Sequence, residues 1–296
     1  MTIEPKVPIG PVLITGGNGF LGRALSGLLR DMNETVISLD LALAKDPVDG
    51  VIQEIADITD LAALSTIAER HQIRAIVHLA AMVIPACKAN PALGADVNII
   101  GHLNMLEIAR RFSIRRFLYT SSIAARPRGE LSSPTNLYGA YKRCCEDISK
   151  IWFLDHGIAS IGLRPNVVYG PGREQGETAA ITLAIKAAAL RQNYQMPFAG
   201  SMCFQYLDEV VDIMIRCLRS APDLPVVSDL TTQTESIDDL ILSIKSIEPD
   251  AVIVPSTAMR AAPPDLDNSE LIKFIGEWPM VTLEEGVRRT FEFYQK

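Results

Sequence analysis

Residues 11–22 read PVLITGGNGFLG, and this stretch decides the fold. The apolar run PVLIT leads without a linker into a glycine loop, and the loop opens an amphipathic segment at 20–31. In a strand–loop–helix unit each glycine has its own task. Gly16 makes the tight turn, Gly19 lets the backbone approach a pyrophosphate, and Gly22 lets helix and strand pack closely. Asn18, Phe20 and Leu21 complete the loop. The helix start offers unpaired N–H groups and the positive end of its dipole to phosphate. No Gly-Lys-Ser/Thr follows, which excludes a nucleoside-triphosphate loop.

The same alternation continues outward. Runs rich in Val, Ile and Leu at 35–40, 51–55, 74–79, 116–121 and 160–164 lack polar alternation, as strands covered on both faces do. Between them, 61–71, 98–112 and 138–156 carry apolar residues at helical spacing. Repeated strand–helix units predict an α/β fold with a doubly wound parallel sheet of the Rossmann kind. After residue 168 the texture changes. A turn-rich Tyr169-Gly170-Pro171-Gly172 precedes a helix at 178–191, an irregular or β stretch at 195–206 and a helix at 207–219. Residues 225–229, 237–247 and 251–255 read as a local strand–helix–strand set, 261–266 as a Pro-rich loop, and 283–294 as a closing helix. The expectation is a dinucleotide-binding domain at 1–168 and a smaller C-terminal α/β substrate lobe at 169–296. That lobe is expected against the carboxyl ends of the sheet, where open α/β sheets bind ligands.

Composition narrows the function classes. Lys and Arg number 28 against 35 Asp and Glu, a formal charge of −7. That balance, without any basic run, argues against nucleic-acid or anionic-membrane partners. Apolar residues make up 48% and charged residues 21%, as in an ordinary soluble domain. The five cysteines lack metal-ligand spacing and read as incidental thiols, so no metal is expected. The N-terminus does not resemble a secretory leader, and no apolar run reaches bilayer length. A cytoplasmic location is the expectation.

Several residues carry chemistry. Asp40 ends the second strand, eighteen residues after Gly22. A carboxylate there can accept from both ribose hydroxyls and repels a 2′-phosphate, which favours NAD over NADP. Asp57 and Ile58 follow the third strand; Asp57 could face an adenine or cap the next helix. Tyr138 and Lys142 are four apart and share a helix face. A free tyrosine, with a pKa of about 10, is a poor base at neutral pH. A neighbouring ammonium stabilises the phenolate. Ser122 ends Tyr119-Thr120-Ser121-Ser122 at the same sheet edge as the glycine loop, where its hydroxyl could orient a substrate oxygen. Ser121 could serve equally. His78, at a buried strand end, reads as a core histidine.

Together these landmarks resemble the extended short-chain dehydrogenase/reductases, the NAD-dependent epimerase/dehydratase family. The resemblance runs from Thr15–Gly22 through His78-Leu79-Ala80-Ala81, Asn98, Tyr119–Ser122, Tyr138–Lys142 and Arg164-Pro165-Asn166-Val167-Val168-Tyr169-Gly170-Pro171-Gly172. It continues to Phe204–Val210 and the ending 269–296. It implies that Leu79, Ala80 and Ala81 line the cofactor groove and that Asn98 holds the helix geometry behind the site. It implies Tyr138 as acid/base, Lys142 as its tuner and ribose contact, and Ser122 as donor to the substrate oxygen. Pro165, Asn166 and Val167 would meet the nicotinamide end. Met82, Ser122, Asn166 and Arg173 are substrate candidates. A homodimer through the helices at 98–112 and 138–156 is implied by analogy.

Departures from the family pattern limit the reaction. Ile123-Ala124 stands where 4,6-dehydratases carry an acidic pair, so water elimination is not expected. Met202 and Cys203 stand near where many nucleotide-sugar members carry an arginine, the residue suited to a bidentate diphosphate clamp. The expected activity is NAD-dependent oxidation or reduction of a hydroxyl or carbonyl carbon on a sugar or sugar-derived small molecule. The alternatives are an epimerase with no net redox change and a silent NAD sensor.

Overall fold

The computed structural model describes residues 8–128 and 131–296. Contacts divide the chain into two units. The first holds residues up to 164 together with 213–228 and 269–276, and the second holds the rest.

The first unit runs β1 (Val12–Thr15), α1 (Phe20–Asp31), β2 (Val36–Asp40), β3 (Ile52–Ile55), α2 (Leu61–His71), β4 (Ala75–His78), α3 (Ile84–Ala89), α4 (Pro91–Ala95), α5 (Gly101–Arg111), β5 (Arg116–Thr120), α6 (Leu137–His156) and β6 (Ile161–Arg164). Strands β1 to β6 lie in the order β6-β5-β4-β1-β2-β3, each pair parallel. All four residues of β1 and of β4 are buried, because helices cover both faces of the sheet. Leu13, Ile37, Ile76, Leu64, Leu106 and Phe117 form the centre of one of these layers. The strand order reverses between β1 and β4, so the loops after these two strands diverge and open a crevice. The glycine loop follows β1, and Leu79–Ala81 follow β4.

The structure departs from the expected single helix at 98–112. A π-helical turn, Asp96–Ile100, joins α4 to α5. An extra residue in a turn breaks the 3.6 period on which the sequence reading depends, and such turns gather at functional sites.

The second unit has its own core of Tyr169, Ile181, Phe198, Tyr206, Ile244 and Phe291. Val167–Tyr169 pairs in parallel with Phe204–Tyr206. Ala199–Met202 pairs with Glu235–Ser236 and with Met259–Ala261. The local set expected around 225–255 is not what forms. Val226–Asp229 is instead the outermost strand of the large sheet beside β6, where the Val226 N–H donates to the Ser160 carbonyl at 2.9 Å. Ile253–Val254 pairs with Tyr194–Gln195. Both partners lie some sixty residues away in sequence, beyond any local pattern. No helix among the described residues is long and apolar enough to cross a membrane.

Candidate active site

The loop after β1 has the shape its glycines require. Gly16 sits at φ +67°, and a Cβ there would lie 2.8 Å from the Ala80 nitrogen. The Gly19 N–H donates to the Gly16 carbonyl at 3.0 Å, which closes the turn. α1 starts at Phe20, and its N-cap, Gly19, contributes no side-chain cap. A first turn without a side-chain cap suits a phosphate acceptor. Ala80 is held in register, its N–H donating to Thr15 Oγ1 at 3.2 Å while Thr15 Oγ1 and His78 Nδ1 share a hydrogen bond of 2.7 Å.

Asp40 leaves β2 beside this loop. Its Oδ2 accepts from the Asn18 N–H at 3.0 Å and its Oδ1 from the Leu41 N–H at 2.8 Å. Each carboxylate oxygen has a second lone pair, so the group retains acceptors for two ribose hydroxyls. Asn18 Nδ2 donates to the Ala42 carbonyl at 2.6 Å, tying down the loop beyond. Asp57 is exposed and accepts from the Thr59 N–H and hydroxyl. The cap of α2 is Asp60, whose carboxylate accepts from the Ala62 and Ala63 N–H groups, so the capping reading of Asp57 does not hold. The side chain of Ile58 is buried, and a Cβ on Gly101 of α5 would sit 2.5 Å from it. The glycine cradle, the uncapped helix and the unsaturated carboxylate together fit a dinucleotide.

On the other side of the crevice, α6 carries Tyr138 and Lys142 one turn apart, and Asn136 caps it by accepting from the Gly139 N–H at 2.8 Å. Gly139 is obligatory, because a Cβ there would clash with the Ala124 carbonyl. Lys142 is buried. Its Nζ lies 5.8 Å from the centroid of the Tyr138 ring and donates to the Thr120 carbonyl at 2.7 Å. Burial pushes its pKa down, while the nearby Cys145, Cys87 and Glu146 oppose that shift. Two residues beyond Thr120, Ser122 Oγ accepts from the Ala124 N–H at 3.1 Å and caps the short turn Ile123–Ala125. The hydroxyl proton of Ser122 is not used by that bond.

Ser121 and Ser122 are told apart by their partners. Ser121 is buried and donates to Glu146 Oε1 at 2.5 Å. Glu146 is fully buried in α6 and takes a two-pronged bond from Arg164, both contacts at 2.6 Å. The sequence reading missed this cluster, although Glu146 follows Lys142 by one helical turn. His78 and His102 are buried and neutral. Burial lowers the His78 pKa well below the usual range and brings His102 to about 3, and His102 Nε2 bonds Ser149 Oγ at 2.9 Å.

Asn98 lies in the π-helical turn. Its Nδ2 donates to the Met82 carbonyl at 3.0 Å and the Gly94 carbonyl at 2.9 Å, and its own carbonyl accepts from Cys145 Sγ at 3.1 Å. Its Nδ2 and backbone carbonyl bond protein while its buried Oδ1 has no partner, and the residue ties the segment after β4 to the helix pair. Leu79, Ala81 and Met82 are half-buried along that segment. In the second unit, Val167 is buried in the core. Asn166 is half-buried, with its N–H near Gln205 Oε1, and Arg173 Nη2 donates to Thr178 Oγ1 at 3.3 Å. Pro165 is half-buried.

A model of the NAD dependent epimerase/dehydratase family matches residues 12–227. The chain belongs to this family. It is 26% identical over 229 residues to an uncharacterized epimerase/dehydratase of Staphylococcus haemolyticus, a stretch covering 72% of each protein. Among solved structures it resembles L-threonine dehydrogenase from Clostridium difficile, with a TM-score of 0.87, 23% identity and coverage of 97% of this chain and 98% of that one. It also resembles UDP-glucose 4-epimerase from Thermotoga maritima, with a TM-score of 0.81, 23% identity and coverage of 96% and 98%. The fold is that of the extended short-chain dehydrogenase/reductases. As a family member the protein is an NAD-dependent enzyme, and the crevice beside β1 has the chemistry that NAD requires.

Proposed function

We propose that this family member moves a hydride between NAD and a secondary alcohol or ketone on a small polar molecule, sugar-like or amino-alcohol in character, through Ser122, Tyr138 and Lys142. The observation that carries the reading is the buried Lys142 ammonium 5.8 Å from the Tyr138 ring centroid. Bound NAD would supply the hydride acceptor. Gly16, Gly19 and Gly22 would admit the pyrophosphate, Asp40 the adenosine ribose, and Leu79 to Ala81 the wall of the groove. In oxidation, Tyr138 takes the hydroxyl proton, Lys142 stabilises the phenolate, and Ser122 donates to the substrate oxygen. Asn98 acts from behind, through the helix it braces.

Ser122 is followed by Ile123-Ala124, which offer no carboxylate at the position where dehydratases place their acid and base, and this argues against water elimination. Met202 and Cys203, where an arginine would grip a diphosphate, favour a substrate without that group. The comparison proteins bracket the choice, since one is a threonine dehydrogenase and another a UDP-glucose epimerase. A homodimer through α5 and α6 belongs to the same reading, supported by the outward-facing Ile100, Ile151 and Leu154.

The test is a panel of polyols, sugar acids, L-threonine and UDP-glucose with NAD, followed at 340 nm and by product analysis. Net NADH supports the dehydrogenase reading, whereas conversion without NADH replaces it with epimerisation. Tyr138→Phe should cut turnover by about 10²–10⁴-fold and leave NAD affinity unchanged. Full activity in that variant would refute the mechanism.

A further inference from the structure

Glu146 stands out in the first unit because it is a carboxylate with no exposed surface, and the proposed chemistry does not use it. It joins three elements. From α6 it accepts the Ser121 hydroxyl at the end of β5 and both prongs of Arg164 at the end of β6. One turn earlier on the same helix, Lys142 holds the carbonyl of Thr120. Two successive residues of the β5 terminus are thus stitched to the helix that carries Tyr138, and the next residue is Ser122. The residues after Arg164 are Pro165 and Asn166.

A contact between a helix and a sheet does not need charge. Apolar side chains of similar volume hold such a contact as well as a buried ion pair, often better. What they lack is direction. Three bonds converging on one carboxylate fix the strand ends along and around the helix axis, and catalysis is sensitive to such placement, with about 10²-fold lost for a misplacement of 1 Å.

We propose that Glu146, with Arg164 and Ser121, is a positioning cluster that sets the distance between Ser122 on β5 and Tyr138 and Lys142 on α6. This rests on the proposed roles of those three residues. Glu146 touches neither substrate nor cofactor; it acts through Ser121 and through the strand ends.

The experiment compares Ser121→Ala and the double variant Glu146→Leu/Arg164→Met with the wild type, using the panel substrate of highest turnover. The double variant removes the carboxylate and the guanidinium together, so neither member of the pair is left without the other. Both variants should bind NAD within threefold of wild type by calorimetry and keep KM within threefold. In Ser121→Ala, kcat should fall three- to tenfold, and in the double variant ten- to a hundredfold. Amide exchange at 121–125 should quicken while that at 117–119 does not. If kcat in both stays within twofold of wild type, the positioning role is overturned. If the double variant does not fold, Ser121→Ala decides alone, in the same terms. Tyr138→Phe separates the two readings. A fully active Tyr138→Phe refutes the proposed mechanism, whereas an inactive Tyr138→Phe beside fully active cluster variants refutes only the positioning.

Discussion

Gly22→Ala is the sharpest single perturbation of the cofactor crevice. Gly22 lies in the first turn of α1, where helical φ and ψ suit alanine, so any cost comes from space alone. A Cβ there would meet the Gly17 Cα at 2.7 Å and the Gly17 oxygen at 2.8 Å, with the Gly16 oxygen closer still. Carbon contacts are comfortable from about 3.5 Å, so helix and loop must part by roughly 0.8 Å. All three obstacles are backbone, and none can swing aside. Overpacking of this kind costs about 1–3 kcal/mol. For a protein of this size that corresponds to a fall in Tm of roughly 2–12 °C. The displaced loop would also lose one or two bonds to the pyrophosphate, each worth about 1.5–3 kcal/mol when the acceptor is charged. NAD affinity should therefore drop by about ten- to a hundredfold or more. Calorimetric titration with NAD and thermal denaturation measure both effects. Gly27→Ala, on the same helix, is the control. Its nearest neighbour is Val48 Cγ1 at 3.9 Å, so it should bind NAD normally and melt no lower than wild type. If Gly22→Ala bound NAD within twofold of wild type at an unchanged Tm, close helix–loop packing would not be what builds this site.

Two other outcomes are expected. Asp40→Ala should weaken NAD by about tenfold, from the loss of ribose hydrogen bonds, and leave NADP unaffected or tighter; an unchanged NAD-to-NADP ratio in binding titrations would remove Asp40 from cofactor choice. The two buried histidines should make the fold acid-sensitive. Folded His102 has its pKa lowered to about 3 by burial, and that of His78 is lowered too, so the unfolded chain binds protons that the native state refuses. Their contribution is complete above the unfolded value of about 6.5 and is lost as pH falls below it, with a slope approaching about 1.4 kcal/mol per pH unit for each. Urea unfolding between pH 7 and pH 5 measures that slope. His102→Gln should flatten it, and the same slope in the variant would assign the acid sensitivity elsewhere.

Much of this could be read from the chain itself, for identifiable reasons. α1 and α2 begin and end where periodicity places them, at Phe20–Asp31 and Leu61–His71, because each has one face on the sheet and one in water. Tyr138 and Lys142 could be paired because a helix fixes their spacing. The family resemblance points to Ser122 rather than Ser121, but the physical difference between them, the bond from Ser121 to Glu146, is brought to β5 only by the fold. Glu146 itself reads in sequence as one more polar helix residue, and its partner Arg164 lies eighteen positions away. The π-helical turn was hidden because an added residue erases the repeat that would reveal it. Nothing local marks β6 as the partner of Val226–Asp229, so sequence alone groups that strand with its neighbours.

That last strand has a practical consequence. A chain cut after residue 168 would look like a complete nucleotide-binding half, yet it would lack both 226–229 and 269–276. The flank of β6 would then present a naked row of peptide donors and acceptors, a template onto which other copies could add. The shortened protein is expected to clump rather than fold cleanly, and grafting this half onto another scaffold would have to bring the late strand along.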